Sequence, residues 1–367
     1  MNKKIIIIGA GPVGCYTGQL LKYFGFSPRI IEEHAEVGRP LHCTGLVGSR
    51  LFSDKRAVPI PRASIINIVN GANIHYENQS FTIKRKNVAY VVDREKFDKE
   101  LSRGLDIVYG KKFLGLEKSG SQYIIETDRG EFPADTVIGA DGANSAMHGI
   151  VSPQDDPEQC RGVQIRIRLG KSRRKDMVEV YLKESFFIWM VPESDDVVRL
   201  GVISENPYND LQDFIKKEGV KGEILEKFGG LVTIGVCARS VKDNLVLVGD
   251  AACQLKPLSY GGLYFGLKSA EILASCIKRG RIDDYDSLWR KQLGSEISIG
   301  LKIREVYKRL GKDGLISVFT LLKENKDLIE KVGDFENHSR LLLEIIKKPS
   351  LYPHIGSLFR VLFKAIF

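Results

Sequence analysis

An α/β chain is predicted, with a Rossmann-type nucleotide-binding domain that is discontinuous in sequence, an antiparallel-sheet domain inserted into it, and a helical C-terminal region. Three stretches predict this. Ile5–Ile8 is an apolar run that meets Gly9, Gly11 and Gly14 in GxGxxG spacing. Residues 160–204 carry alternating stretches with the period of half-buried strands. About 240 residues after the first glycines, Leu245–Val248 is another apolar strand, ending in Gly249-Asp250 and followed by Gly261-Gly262 and a helical pattern. Strand–helix units at both ends of a β-rich middle imply a domain that the chain leaves and re-enters. The expected boundaries are 1–62, 88–158 and 238–285 for the nucleotide domain, 63–87 and 159–237 for the β-rich domain, and 286–367 for the helical region. A chain of 367 residues can give each of these a core.

The first glycine turn should open a helix over Val13–Phe24, closed by Gly25, which accepts the left-handed backbone that ends many helices. Residues 34–50, HAEVGRPLHCTGLVGSR, read as a glycine-rich loop with no regular element. Residues 64–92 alternate in places and read as strands. Arg94–Arg103 reads as a short helix with Asp93 as its N-cap. Gln122–Ile138 reads as hairpin strands broken at Asp128-Arg129-Gly130 and running into IGADGANS. Further on, Gly162–Leu169 and Val178–Leu182 are strands. Asn206-Pro207 starts a helix through Lys217, with proline at the first helical position. Leu263–Arg279 is helical, and so is the chain from about Asp286 onward.

Composition sets bounds on function. The chain is 43% hydrophobic and 28% charged, ordinary for a globular protein. No apolar run reaches the roughly 18 residues of a membrane span. Met1-Asn2-Lys3-Lys4 leads directly into a strand without a signal-peptide layout, so a cytoplasmic location is expected. The six cysteines, Cys15, Cys43, Cys160, Cys237, Cys253 and Cys276, lack paired spacing and read as reduced thiols. His42-Cys43 stand alone and no metal site is expected. The formal charge of +9 suits an anionic partner. No nucleic-acid motif is present, so an anionic membrane surface is favoured over nucleic acid.

The chemistry sits at the strand ends. Gly9, Gly11 and Gly14 permit a tight turn and let backbone approach a pyrophosphate at a helix N-terminus. Glu32, at the end of the second strand, is placed to bind ribose hydroxyls. Asp141-Gly142 and Asp250 put carboxylates at two more strand ends. A glycine loop at one end and a carboxylate loop at the other suit one long cofactor clamped at both ends, FAD.

The set GAGPVG, ADGANS and VGDAA resembles the flavoprotein superfamily of aromatic hydroxylases, halogenases and geranylgeranyl reductases. The resemblance covers about residues 1–285. It implies that Asp250 contacts the ribityl–pyrophosphate part of FAD. It also implies that Pro257, Gly261 and Gly262 lie under the isoalloxazine, and that Arg94, in VVDREKFD, is a cofactor contact. EVGRPLHCTG resembles the loop of archaeal-type geranylgeranyl reductases in which a cysteine sits beside the flavin, matching at Gly38, Pro40, Cys43 and Gly45. Glu33, Arg39, Cys43 and Gly45 thereby join the expected cofactor contacts. SFFIWMVPESDDVVRLGV is similar to the YxWxFP strand of that family, matching as Phe187-x-Trp189-x-Val191-Pro192 and then Gly201. It departs with Phe for Tyr at 187, Val for Phe at 191 and Ile203 in place of a second glycine. Halogenases share a related strand but place a catalytic lysine soon after the second strand, and residues 34–50 contain none.

What the resemblance implies is an FAD-dependent reductase saturating C=C bonds of geranylgeranyl chains in isoprenoid membrane lipids. The alternatives are an FAD-dependent monooxygenase of aromatic or polyketide substrates and a halogenase-like flavoenzyme. A prenyl alkene has no carbonyl to accept charge, so hydride from reduced flavin must be paired with a proton. Phe187 and Trp189 are candidates to line a dry site, since desolvated aromatic faces stabilise a cation by up to roughly 2 kcal/mol. Cys43, a thiol at neutral pH, is a candidate to position substrate or relay the proton. The electron donor is NADPH, ferredoxin or a deazaflavin. A twenty-carbon chain gains about 0.8 kcal/mol per buried methylene, which places the enzyme peripherally on the inner face of the cell membrane. SLYPHIGSLFRVLFKAIF at the C-terminus has an apolar face with Arg360 and Lys364 opposite, as in an interfacial helix.

Overall fold

A computed structural model describes residues 3–170 and 174–346. The expected C-terminal interfacial helix lies outside the described residues.

Two large sheets organise the molecule. The first has six strands in the order Val241–Lys242, Leu245–Leu247, Thr136–Gly139, Ile5–Ile8, Arg29–Ile31 and Asp106–Val108. All pairings are parallel except that of the Val241–Lys242 edge. Ile5–Ile8 lies inside the sheet and every residue of it is buried. A parallel strand covered on both faces needs apolar residues without alternation, and that is why IIII reads as it does. One face packs against the helices Pro12–Tyr23, Arg94–Ser102 and Leu263–Lys278. The other packs against the three-stranded sheet Phe113–Ser119, Gln122–Thr127 and Gly130–Ala134, and against the helix Ala146–Val151.

The helix Pro12–Tyr23 ends as its sequence asks. Gly25 has φ +89°, its N–H bonds Lys22 O at 3.0 Å, and the Phe26 N–H bonds Leu21 O at 3.0 Å. This is a Schellman closure, which satisfies carbonyls the helix leaves open. The cap at Asp93 accepts from the Lys96 N–H at 3.0 Å.

The second sheet has eight strands: Gly222–Ile234, Glu158–Leu169, Val197–Ser204, Phe187–Pro192, Val178–Leu182, Ile65–Tyr76, Gln79–Val92 and Leu46–Gly48. Val178–Leu182 runs parallel to Ile65–Tyr76, and the other pairings are antiparallel. The glycine-rich loop is therefore not wholly irregular. Leu46–Gly48 pairs with Gln79–Val92, Leu46 opposite Val91, and Arg50–Ser53 is a helical turn. Three strand residues are too few to show a period, so the pattern hid them. Gln79–Val92 runs unbroken through positions 87 and 88.

After Leu263–Lys278 come Tyr285–Trp289, a π-helical turn Arg290–Gly294, and Ser295–Arg309, Gly311–Glu324, Lys326–Val332 and His338–Ile346. Among the described residues no helix is long and apolar enough to cross a membrane.

Candidate functional site

The glycine turn is fixed by crowding. A Cβ at Gly9 (φ +98°) would stand 2.5 Å from Ala140 O, and one at Gly14 would stand 2.0 Å from Gly9 O. At Gly11 a Cβ would meet nothing within 4 Å. Two glycines thus serve the fold, while the third leaves open space before the N-terminus of Pro12–Tyr23, where no side chain caps the helix. Uncapped N–H groups facing open space fit a pyrophosphate. Glu32 is buried, and its Oε2 accepts from the Ala10 N–H at 2.6 Å. Its Oε1 meets His34 N at 2.9 Å and His34 Nδ1 at 2.7 Å. Glu32 therefore braces the loop itself, while Glu33 is exposed beside it.

At the other strand end Gly249–Ala252 forms a 3-10 turn that presents Asp250. Burial pushes the Asp250 carboxyl up to about 6, against the pull of the Arg94 charge. Its side chain has no hydrogen-bond partner among the described residues, and a Cβ at Gly262 would stand 2.4 Å from Asp250 Oδ1. A partly buried carboxylate without a donor fits a hydroxyl-bearing ligand. A flavin's ribityl chain offers such hydroxyls. Pro257 packs under the helix Ser295–Arg309, because a Cβ at Gly300 would lie 2.9 Å from Pro257 Cδ. Gly261 packs against Lys256, 2.8 Å from its Cε on the same construction, and Lys256 N bonds Gly261 O at 3.1 Å.

Arg94 joins this loop to the cysteine loop. It grips Asp98 with two bonds, Nε–Oδ1 at 3.1 Å and Nη2–Oδ2 at 2.9 Å. Burial lowers its guanidinium, but the Asp98 carboxylate and the Cys43 sulfur outweigh that, and the net shift is upward. The Cys43 sulfur also accepts from the Gly45 N–H at 3.3 Å. Arg94 thus interacts electrostatically with the Cys43 sulfur on one loop and with Asp250 on the other. Gly45 (φ +73°) is held against Val92 O, 2.5 Å from where its Cβ would be.

Asp141 and Arg39 are occupied elsewhere. Asp141 Oδ1 accepts from Ser145 Oγ at 2.6 Å and its Oδ2 from Met147 N at 3.1 Å, so it organises the start of Ala146–Val151. Arg39 is half exposed and pairs with Glu95 at 2.7 Å and Glu226 at 3.0 Å, tying the cysteine loop to the edge of the eight-stranded sheet.

The aromatic side lies on that sheet. Trp189 Nε1 donates to Gln164 Oε1 at 3.2 Å, and Thr44 Oγ donates to the same oxygen at 2.6 Å. Gln164, buried on Glu158–Leu169 and separated from the Trp189 strand by Val197–Ser204, thus joins Trp189 to the residue after Cys43. Arg199 adds a second tie, donating to Thr44 O at 2.6 Å and Val92 O at 3.1 Å while pairing with Glu193 at 3.1 Å. Gly201 is required beneath the indole, since its Cβ would stand 2.5 Å from Trp189 Cζ2. Phe187 lies 6.0 Å from Trp189 and stacks 6.0 Å from Tyr260. Tyr260 (φ +59°) accepts from buried Arg304 at 2.7 Å. Thr44, Gln164, Arg199, Tyr260 and Arg304 were not expected from the sequence. A polar residue with Gln164's burial leaves no local signal, though a tyrosine beside the Gly261-Gly262 turn was a visible candidate. Among the described residues no cluster of three or more metal-ligating side chains occurs.

A mostly parallel sheet, a glycine turn, a GD loop and an aromatic-bearing second sheet define the fold class shared with geranylgeranyl reductase-like proteins and FAD-dependent halogenases and monooxygenases. No family model matches the chain. An uncharacterised protein of Methanocaldococcus jannaschii is 33% identical over 98% of this chain and 97% of its own length. Digeranylgeranylglycerophospholipid reductase 2 of Methanothermobacter thermautotrophicus is 26% identical over 94% of this chain and all of its own, 100%. Among solved structures, a geranylgeranyl bacteriochlorophyll reductase-like protein from Thermoplasma acidophilum aligns with TM-score 0.81, at 21% identity, over 98% of this chain and 99% of that one. A halogenase PltM variant in complex with FAD aligns with TM-score 0.68, at 14% identity, over 91% and 84%. The chain belongs to one family with the Methanocaldococcus protein, and archaeal digeranylgeranylglycerophospholipid reductases are among its relatives.

Proposed function

We propose that this chain is an FAD-dependent reductase that saturates C=C bonds of geranylgeranyl chains in archaeal-type membrane lipids. One observation carries the reading: the Gln164 oxygen that joins Thr44, next to Cys43, to the Trp189 indole. It gathers the cysteine loop and the aromatic strand at one place, as a site facing both a flavin and a prenyl chain requires. The activity named for the Methanothermobacter relative supports it.

The chemistry that a reduced flavin would supply here, when bound, is hydride for one alkene carbon. The chain must deliver a proton to the other, and we assign it to the Cys43 thiol, which is partly open to solvent and can be reprotonated from it. The Gly45 N–H and the Arg94 guanidinium stabilise the thiolate left behind. Phe187, Trp189 and Tyr260 offer aromatic faces to the positive charge that develops on the more substituted carbon. Gly11 and the helix N-terminus behind it would hold the pyrophosphate of FAD, with Gly9, Gly14 and Glu32 shaping that turn. Arg94, Asp250, Pro257, Gly261 and Gly262 would hold the flavin half. Glu33 and Arg39 would flank the cofactor, and Asp141 would shape its loop. The six-stranded sheet would serve as cofactor domain and the eight-stranded sheet as substrate domain, with the expected boundaries moved at Leu46–Gly48 and at residues 88–92, whose strands belong to the eight-stranded sheet. A peripheral membrane position follows from the lipid substrate, and the charge of +9 suits anionic headgroups or an acidic electron donor.

The test is anaerobic incubation of dithionite-reduced protein with a geranylgeranyl phospholipid, followed by mass spectrometry. Product masses should rise in steps of one hydrogen pair per saturated bond. No mass gain with flavin bound rejects the reading. Full reduction by Cys43→Ala with flavin bound rejects the proton assignment alone.

A further inference from the structure

The segment Asp334–His338, between the last two helices, crosses back to the site. Lys256, in the loop between Asp250 and Gly261, pairs with Glu336 at 2.9 Å, and each side chain is only 3% exposed. Glu336 Oε1 also accepts from the Gly48 N–H at 3.1 Å, so one carboxylate ties the C-terminal segment to both loops of the site. Lys256 Nζ donates to Phe335 O at 2.8 Å and stands 4.2 Å from the centroid of the Phe335 ring. Asp334 reaches Arg50 at 3.5 Å. Taking two charges out of water is unfavourable unless their mutual contact and hydrogen bonds offset it. Here Lys256 donates to Phe335 O and Glu336 Oε1 accepts from Gly48, while Oε2 has only the Lys256 charge at 2.9 Å and no hydrogen bond among the described residues; what the pair fixes is the position of Phe335.

Phe335 packs on the same apolar cluster as Trp189 and Leu46. It is only partly buried, as are Trp189, Phe187 and Tyr260, whereas the core aromatics Phe97, Phe265 and Tyr285 are 0 to 1% exposed. Phe187 lies 6.0 Å from both Trp189 and Tyr260, and Phe335 joins Trp189 through the apolar cluster they share; rings left half open in this way line a slot rather than fill a core. A trisubstituted alkene is flat, and its saturated product is tetrahedral and thicker. A slot with an aromatic ring pinned on one side can hold the first and exclude the second.

We infer that Phe335, pinned by the buried Lys256–Glu336 pair, is a specificity-determining wall of the substrate slot that favours the planar alkene over its saturated product. This rests on the prenyl-reductase reading above. Flavin-loaded full-length protein, titrated calorimetrically in detergent micelles with geranylgeraniol and with its fully saturated counterpart, tests it. Wild type should bind the unsaturated alcohol more tightly. Phe335→Ala should shrink that preference about tenfold, the scale on which a pocket discriminates a small change of apolar bulk. Phe335→Trp, which narrows the slot, should weaken the saturated ligand more than the unsaturated one. A ring that only supports the fold would lower both affinities together and leave their ratio unchanged, and that result in both variants overturns the inference. Wild type that binds neither alcohol overturns the inference and the prenyl-reductase reading alike. Wild type that reduces alkenes but shows no preference for the unsaturated alcohol overturns the inference alone.

Discussion

The glycine turn at Gly9–Gly14 and the proposed slot around Trp189 are held by opposite means. The turn is made by absent side chains: a Cβ at Gly14 would stand 2.0 Å from Gly9 O. The slot is made by present ones, reaching from the cysteine loop, three neighbouring strands, the GD loop and the C-terminal segment. A site made of omissions tolerates no addition, and a site made of long-range ties tolerates no deletion. Both rules can be broken experimentally.

The largest effect should be on the slot side. Lys256→Met leaves Glu336 buried without its cation, and loss of one partner of such a pair costs about 3–5 kcal/mol. Urea unfolding measures it, and a loss under about 1 kcal/mol would show that the slot does not depend on its buried ties. On the other side, Gly14→Ala forces the turn open at a cost of about 1–3 kcal/mol. It should also abolish flavin retention, read as absorbance of the purified protein. Flavin retained in full would refute the steric account of the turn.

Asp250→Asn should separate stability from binding. The carboxyl titrates near 6 in the folded chain against 3.8 unfolded. Between those values the folded state keeps a proton that the unfolded state releases, so stability falls as pH rises from 4 through 6 and levels off above. The ionised form costs about 2 kcal/mol, with allowance for partial exposure. Asparagine removes that slope, so the flavin-free variant should melt higher than wild type at pH 8, with the difference fading towards pH 4. Flavin affinity should fall at the same time. An unchanged melting curve at pH 8 would show that Asp250 is not strained. The smallest effect is Thr44→Val, which deletes one hydrogen bond to Gln164 worth about 1 kcal/mol. It should lower alkene reduction more than flavin content, and an equal loss of both would mean that Thr44 serves the cofactor side instead.

The same contrast sets what was legible in the sequence. Ile5–Ile8, the three glycines, Asp93 and Gly25 act through neighbours a few residues away, so spacing reveals them. The parallel sheet and its two crossing points near Gly9 and Asp250 followed from that. Leu46–Gly48 is too short to show a period, and its strand identity comes only from pairing with Gln79–Val92. Asp141 reads as a strand-end ligand, yet Ser145 and Met147 engage it first. Gln164, Arg199 and Glu336 are ordinary polar residues until the fold removes them from water, and their partners lie 120, 155 and 288 positions away. No local pattern carries that information.

The unpartnered carboxylate of Asp250 has one more consequence, in the life of the protein inside the cell. A chain that has not yet taken up flavin carries an unrelieved charge in its interior, and ligand binding stabilises only the loaded form. A larger share of unloaded molecules is therefore transiently open at any moment, and open molecules are the ones that proteases degrade. In the proposed role of Asp250 as the cofactor's grip, the same residue would also match the amount of surviving protein to the flavin available to it.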